Sequence, residues 1–241
     1  MTAVLFSTGS VVIKATSFSG WQVAGLRCGI AALAVLVLLP VSRRAWSYRT
    51  WLVGGAYAGA LICYAVANKL TTAASTIFLF SSSPLYILFL GPLFLREPLR
   101  RRDVLFVLAF ALGLGLVFLD PQPVSPTAPE PLKGNILAAL GGLFFAFIVM
   151  GLRWMSRSSR TGEASATSAL AAGNLLGFAI CLPFMWPLGS TTSLDWVLVG
   201  YVGVLQFGLA YFLMIAALRR LPAVEVSLLF LIEPVLNPIW T

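Results

Sequence analysis

The side chains best suited to bind a ligand or a proton are those of a glutamate and a run of serines, each placed before a proline inside an apolar segment. Glu233 precedes Pro234, and Ser81–Ser83 precede Pro84. A carboxylate inside hydrocarbon must be protonated, paired or turned toward water, because an isolated charge there is costly. A proline removes one backbone hydrogen bond and can break a helix locally. The pattern predicts a proton or cation site at Glu233 and a site for a polar ligand at the serines.

Both features also have a purely structural interpretation. A neutral Glu233 could cap backbone that is exposed at the kink made by Pro234. Serine hydroxyls in apolar helices commonly bond to the carbonyls of their own helix. The residues alone do not separate these alternatives.

Other polar and aromatic side chains also lie in apolar runs. Tyrosines can stack on an aromatic or cationic ligand, and amides either line a cavity or hold neighbouring helices together. Core packing is the alternative for each of them. We predict a cavity that binds substrate through Ser81, Ser82, Tyr57, Tyr64, Phe78, Asn174, Gln206, Tyr211 and Glu233. Glu233 is the predicted coupling residue, and helix breaks are predicted at Pro84 and Pro234.

The composition indicates a membrane protein rather than a soluble enzyme. Of the 241 residues, 59% are hydrophobic and 10% are charged, whereas a soluble domain has about 25% charged residues. The chain has no histidine, and its cysteines, Cys28, Cys63 and Cys181, lie in apolar runs without a CxxC pair. This argues against a Ser-His-Asp triad, a disulfide framework and a metal site. We therefore expect no enzymatic activity, no cofactor and no metal.

Nine apolar segments are predicted to cross the membrane, since a spanning helix needs roughly 20 mostly apolar residues. They cover residues 2–18, 21–41, 51–68, 73–95, 104–119, 134–152, 165–186, 195–217 and 223–241. Residues 120–133 contain five prolines, which predicts a stiff, non-helical linker.

The parts of the chain on either side of this linker resemble each other. Residues 69–89 align with residues 219–239 at an offset of 150 residues, so that Pro84 matches Pro234. We predict two repeats of five helices, the first at 1–119 and the second at 134–241. An odd number of helices inverts one copy in the membrane. The second repeat lacks its fifth helix, so a complete reading frame is expected to continue past Thr241 into a tenth helix.

The basic residues predict the orientation of the helices. The loops after helices two, four, six and eight hold Arg43, Arg44, Arg49, Arg96, Arg100, Arg101, Arg102, Arg153, Arg157, Arg160, Arg219 and Arg220. By the positive-inside rule these loops face the cytoplasm, which places the N-terminus inside and favours a bacterial inner membrane. The same clustering explains the net charge of +8 without a nucleic-acid partner. Lys14 and Arg27 are expected near outer helix ends, where they reach lipid headgroups or an anionic substrate.

These segments resemble the drug/metabolite transporter superfamily, in particular its EamA-type permeases of ten helices. The likeness rests on the serine- and proline-containing fourth helix with FLREPL (94–99), and on LFLIEP (229–234), AAGNLLGF (171–178) and STGSVVIK (7–14). The resemblance implies two inverted bundles, in which helices one to four pack against six to nine around a central cavity. Helices five and ten would be scaffold. Members of this family mostly export amino acids, other metabolites or toxic compounds.

We therefore expect a secondary transporter, a permease that exports small organic metabolites such as amino acids or drug-like compounds by alternating access. Its expected partners are the lipid bilayer, a small-molecule substrate and protons, and the assembly is a monomer or homodimer. Hydroxyl, amide and aromatic candidates favour an uncharged or zwitterionic solute over a polyanion. The alternative is a passive channel or a membrane receptor without coupled transport. Facilitated diffusion is the alternative to proton coupling.

Overall fold

The computed structural model describes residues 6–43, 46–95, 101–119, 124–157, 162–218, 220–233 and 235–236. Within these ranges the chain is almost entirely helical, with one isolated β-bridge between Ser125 and Ala128. The helices are α1 (Gly9–Ala15), α2 (Gly20–Leu38), α3 (Tyr48–Leu70), α4 (Ala73–Phe80), α5 (Ser83–Leu95), α6 (Arg101–Leu119), α7 (Pro131–Arg157), α8 (Gly162–Cys181), α9 (Ser193–Tyr201), α10 (Ala210–Leu218) and α11 (Ala223–Phe230). A π-helical segment, Val202–Leu209, joins α9 to α10. The predicted all-α class is confirmed.

The helices have the length and the exterior of membrane spans. Among the described residues, five segments are long and apolar enough to cross a bilayer: Gly20–Leu38, Tyr48–Leu70, Ala73–Leu95, Pro131–Met155 and Ser165–Phe184. Helices also occur in the described parts of the other four predicted spans. On α6, Leu105, Leu108, Leu112 and Leu116 form an outward stripe in which Leu112 is 75% exposed. Lipid tails accept such a surface, whereas water does not. The chain is a multi-pass membrane protein.

Polar residues determine where several helices begin. The hydroxyl groups of Ser19, Ser47 and Thr192 each accept a hydrogen bond from the backbone N–H three residues later, at the starts of α2, α3 and α9. The side chain at that later position bonds back to the cap, which completes a capping box. These boxes satisfy N–H groups that have no partner within the helix.

Several helices begin earlier than the hydropathy pattern predicts, and the starts of α3 and α7 show why. Helix α3 begins at Tyr48 rather than at residue 51, because Ser47 caps it. Helix α7 begins at Pro131 rather than at residue 134, inside the predicted linker. Proline is favourable at the first helical position, where its missing N–H costs nothing. Local capping chemistry, rather than hydropathy, decides both starting points.

The fourth and ninth predicted spans are both interrupted. Helix α4 ends at Phe80 and α5 begins at Ser83, while α11 ends at Phe230 and a turn at Leu231 follows it. Helices α4 and α11 each have eight residues and lie 150 residues apart along the chain. The two parts of the chain therefore carry the same interruption at the same position.

Helix α3 packs along both α7 and α8, and α2 packs against α8 and the π-helical segment. The crossing of α3 and α8 depends on Gly54. A Cβ atom at this position would lie 3.0 Å from the backbone nitrogen of Gly173 and 3.0 Å from the Cβ of Ala172. At the adjacent Gly55, an added Cβ would meet nothing within 4 Å. Small residues at such crossings let helix backbones approach closely.

We expect Gly54→Ala to lower the midpoint of thermal unfolding in detergent, because the added methyl group must displace the backbone of α8. Overpacking of this kind costs about 1–3 kcal/mol. Gly55→Ala is the matched control and should preserve or slightly raise the midpoint, since alanine favours a helix over glycine by about 1 kcal/mol. Equal losses in the two variants would show that the contact with α8 does not explain the glycine at position 54.

Candidate functional site

A narrow cavity lies between helices from the first and second parts of the chain. Its lining residues are Phe6, Leu61, Tyr64 and Phe80 from the first part and Phe145, Gln206, Tyr211 and Glu233 from the second. Its volume of about 20 Å³ gives room for about one water molecule. An adjoining cleft of about 10 Å³ shares three of these residues and adds Ser81, Ser83, Ser227, Phe230 and Leu231. We refer to both spaces together as the central cavity.

Glu233 lines both spaces of the central cavity and is 8% exposed. Aromatic rings form the nearby wall: the ring of Phe145 lies 5.3 Å from that of Phe80 and 5.6 Å from that of Phe230, between centroids. Among the described residues, no lysine or arginine forms an ion pair with Glu233. A bare charge in these surroundings is costly, and a proton or a cationic ligand removes that cost. Pro234, the predicted break beside it, lies outside the described residues.

The interruption between α4 and α5 lies directly before Pro84. The N–H of Ser82 donates to the carbonyl oxygen of Leu79 at 3.1 Å, which is a tighter turn than an α-helix makes. Pro84 has no N–H, so the carbonyl of Phe80 lacks the partner that a regular helix would supply. This carbonyl oxygen lies beside Gly142 of α7, where an added Cβ would be 2.8 Å away.

The three serines of this interruption have different surroundings. Ser81 and Ser83 line the cleft of the central cavity. Ser82 packs against Gly142 of α7, where an added Cβ would lie 2.5 Å from the serine Oγ. The structure therefore places Ser81 at the cavity and Ser82 at the contact between helices.

Residues that match across the two repeats meet in this cleft. Phe80 and Phe230 both line it, as do Ser83 and Glu233. Each pair is separated by the 150 residues that relate α4 to α11. A serine thus stands in the first part of the chain where the carboxyl stands in the second.

Three of the predicted polar residues, Tyr64, Gln206 and Tyr211, lie together in the wall of the central cavity. Gln206, in the π-helical segment, donates from Nε2 to the carbonyl oxygen of Phe6 at 3.1 Å. Tyr57 is buried behind the wall and packs edge-on against Tyr211, with ring centroids 4.6 Å apart. Tyr57 therefore supports the wall rather than lining it.

Two predicted cavity residues lie elsewhere. Asn174 donates from Nδ2 to the carbonyl oxygen of Leu170, one turn earlier in its own helix, at 2.9 Å. Phe78 packs on Phe110 of α6, with ring centroids 5.2 Å apart. Neither Asn174 nor Phe78 lines the central cavity. The first contact is a bond within a helix, and the second is packing against a peripheral helix.

The predicted position of Arg27 near a headgroup is wrong. Its side chain is fully buried, and its Nη2 donates to the carbonyl oxygen of Leu61. Its guanidinium lies 5.9 Å from the ring centroid of Tyr64. Since Leu61 and Tyr64 line the central cavity, Arg27 stands behind the cavity wall. A single arginine in an uncharged span was the signal for an interior role.

Sequence reasoning missed most of the apolar lining. Phe6, Leu61 and Phe145 are ordinary residues of apolar runs, and nothing in their types separates a cavity wall from a lipid-facing surface. Phe80 and Phe230 could have been found, because they match each other in the repeat.

Comparisons with known proteins agree with this architecture. A model of the EamA-like transporter family matches residues 1–119 and residues 132–241. An uncharacterized transporter of Bacillus subtilis (strain 168), YxxF, is 27% identical over 167 residues, which are 68% of this chain and 51% of the relative. The chain thus spans about half the length of this curated relative.

A solved structure, titled only as the crystal structure of a protein, superposes with a TM-score of 0.71 at 20% identity. The match covers 99% of this chain and 83% of the other. At this identity the likeness concerns the fold alone. The family match, by contrast, extends over nearly the whole sequence, and the chain belongs to the EamA-like transporter family of membrane transporters.

Proposed function

We propose that the chain is a secondary carrier that exports small organic metabolites across the bacterial inner membrane by alternating access. The observation that supports this is the position of Glu233 in a narrow cavity between the two parts of the chain, two residues after a helix interruption. A carboxyl at an interrupted helix inside a membrane supplies a site for a proton or cation. Glu233 is therefore the proposed coupling residue.

The surroundings of Glu233 give a physical reason for coupling. A charged carboxylate is stabilised when the cavity is open to water and destabilised when apolar walls close around it. Closing is therefore easier after a proton, or a cationic group of the substrate, has neutralised the charge. Each closing event then carries a proton or a bound cation with it. Facilitated diffusion, with Glu233 as a structural cap, is the alternative outcome.

The walls of the cavity favour an uncharged or zwitterionic solute, such as an amino acid or a drug-like compound. Aromatic rings, two tyrosine hydroxyls and one amide line it, and Glu233 would repel a polyanion. The volume of about 20 Å³ is far below the roughly 300–1,000 Å³ of pockets that enclose organic ligands. The cavity in this conformation therefore has no room for such a solute, and the helices must separate to admit a substrate.

Alternating access needs two bundles that move around the site. The matched interruptions in α4 and α11 support two inverted repeats, at residues 1–119 and 134–241, with the linker of residues 120–133 between them. Two such bundles can rock about the cavity that they share. This favours a carrier over a passive channel or a receptor.

The proposed orientation follows from the arginines at one end of the bundle. The guanidinium of Arg49 lies 4.5 Å from the ring centroid of Trp154, and Arg153 donates to the carbonyl oxygen of Leu218 at 2.5 Å. We call this end, with Arg43, Arg49 and Arg153, the arginine face. The positive-inside rule places it in the cytoplasm, with the N-terminus. The linker then lies outside.

In proteoliposomes, the carrier is expected to show saturable counterflow of a labelled amino acid from a tested panel, and a pH gradient should drive net flux. Glu233→Gln is expected to reduce the flux driven by the pH gradient at least about tenfold while it preserves counterflow, because the amide cannot release a proton. The measurement is uptake of the labelled solute with and without the gradient.

Glu225→Gln is the matched control, since Glu225 lies in the first turn of α11, before the interruption that precedes Glu233, and does not line the central cavity. This variant should retain the response to the gradient. If counterflow in the parent protein does not respond to the pH gradient, Glu233 has a structural role only. Flux without saturation or counterflow would instead favour a pore.

The orientation is tested by labelling single cysteines in intact cells with a maleimide that does not cross membranes. Pro126→Cys in the linker should react, whereas Tyr48→Cys on the arginine face should react only after lysis. The native Cys28, Cys63 and Cys181 are all buried, so the background should be low. The reverse pattern would contradict the proposed orientation.

A further inference from the structure

The end of the bundle opposite the arginine face is closed by two lysines that cap each other's helices. Lys14 of α1 donates from Nζ to the carbonyl oxygen of Thr71, the residue that follows α3, at 2.9 Å. Lys69 of α3 donates from Nζ to the carbonyl oxygen of Thr16, the residue that follows α1, at 2.8 Å. Carbonyls at helix C-termini lack intrahelical partners and carry partial negative charge. Each ammonium group therefore satisfies the end of the other helix.

The same closure extends to the linker and to the second part of the chain. The second contact of Lys14 is a hydrogen bond from Nζ to the carbonyl oxygen of Thr127 in the linker, at 2.7 Å. Asp195, near the start of α9, accepts from the N–H and from the Oγ of Ser17, both at 2.8 Å. The last turn of α1 and the segment that follows it are thus bound to α3, to the linker and to α9. We call this end, with Lys14, Lys69, Thr127 and Asp195, the linker face.

A buried apolar layer joins the linker face to the central cavity. It consists of Ile13, Phe18, Val23, Tyr64, Ile77 and Val199, all of them buried. Tyr64 belongs both to this layer and to the cavity wall. On α3, Lys69 follows Tyr64 by five residues, which corresponds to about 7 Å along a helix. The lysine contacts therefore stand about one and a half turns from the cavity.

The lysine contacts are of a kind that can break and re-form at a modest cost in free energy. Both lysines donate to neutral carbonyl groups rather than to carboxylates. A hydrogen bond of this kind contributes modestly to stability, because water replaces it when the contact breaks. Lys69 also interacts electrostatically with Lys14 and with Asp195. Repulsion between the two ammonium groups raises the free energy of the closed state, and the carboxylate offsets it.

We propose that Lys14, Lys69 and Asp195 form the gate of the linker face, which breaks when the central cavity opens to that side. The proposal rests on the proposed function, since the gate closes the cavity through which the solute is proposed to pass. Movement of α1 away from α3 and α9 opens the gate. A permanent structural staple, which never breaks, is the competing explanation.

The test is the rate at which a thiol in the cavity reacts from the linker face. The reporter is Ser81→Cys in the otherwise complete chain, in membranes, with an impermeant maleimide added from one side at a time and no substrate present. Lys14→Met and Lys69→Met should each raise the rate of labelling from the linker side about tenfold, the change expected when charge-assisted hydrogen bonds of the closed state are lost. Labelling from the arginine side should not rise.

Two controls separate a gate from a general loss of structure. Lys133→Met should leave the labelling rate unchanged, because Lys133 is exposed and pairs with the neighbouring Glu130 rather than with the gate. Lys69→Arg should keep the parental rate, since arginine also donates to carbonyls. Thermal unfolding must show that each variant is folded. Folded Lys14→Met and Lys69→Met variants that label at the parental rate would overturn the gate.

A second experiment cross-links the gate in its closed state. Phe18→Cys combined with Trp196→Cys, at rings whose centroids lie 5.5 Å apart, joined by a short bifunctional thiol reagent with a reducible bond, should stop the counterflow that the same double variant shows before cross-linking, and cleavage of the reagent should restore it. Full counterflow through a cross-linked pair would overturn the gate while transport stands. Faster labelling in the lysine variants, without counterflow of any solute by the parent, would support the gate as an opening and overturn the carrier proposal.

Discussion

The cost of an unbonded backbone group in hydrocarbon governs the arrangement of this chain. A regular helix satisfies every amide in its interior, so each departure from it must be sheltered by protein. The interruptions at Ser81–Ser82 and at Leu231 both border the central cavity, and Gly142 of α7 packs against the first of them. The π-helical segment Val202–Leu209 packs on α2 with one side, while Val204, Leu205 and Leu209 remain exposed on the other. The irregular backbone of the two interruptions therefore lies in the interior, where it can meet a solute instead of a lipid tail.

The same cost explains where the charged side chains lie. Arg27 is buried, and it bonds to the carbonyl of Leu61. Lys14 and Lys69 stand at helix ends and donate to terminal carbonyls. Glu233 differs from these three, because its carboxyl accepts rather than donates and cannot satisfy a free carbonyl while it is ionised. A carboxyl group inside a bundle is therefore better suited to bind and release a proton or a cation than to link two helices.

The membrane spans could be predicted because the bilayer thickness sets the length of a hydrophobic segment. The helix starts could not be predicted, because a single hydroxyl group such as that of Ser47 moves a start by three residues. Glu233 could be singled out because a carboxylate in an apolar run is rare. Phe145 could not, since phenylalanine is common on every surface of a membrane helix. The depth of Arg27 was misjudged because distance along a helix does not tell which face packs against a neighbour.

The π-helical segment also sets the rotation of the helix that follows it. A π-turn holds about one residue more than an α-turn, and one residue corresponds to roughly 100° of rotation about an α-helix. Gln206 lies inside this segment and Tyr211 lies just after it, and both line the central cavity. Removal of a single residue from Val202–Leu209 would make the helix more regular and would turn Tyr211 away from the cavity. The number of residues in this segment is therefore under as tight a constraint as their identity.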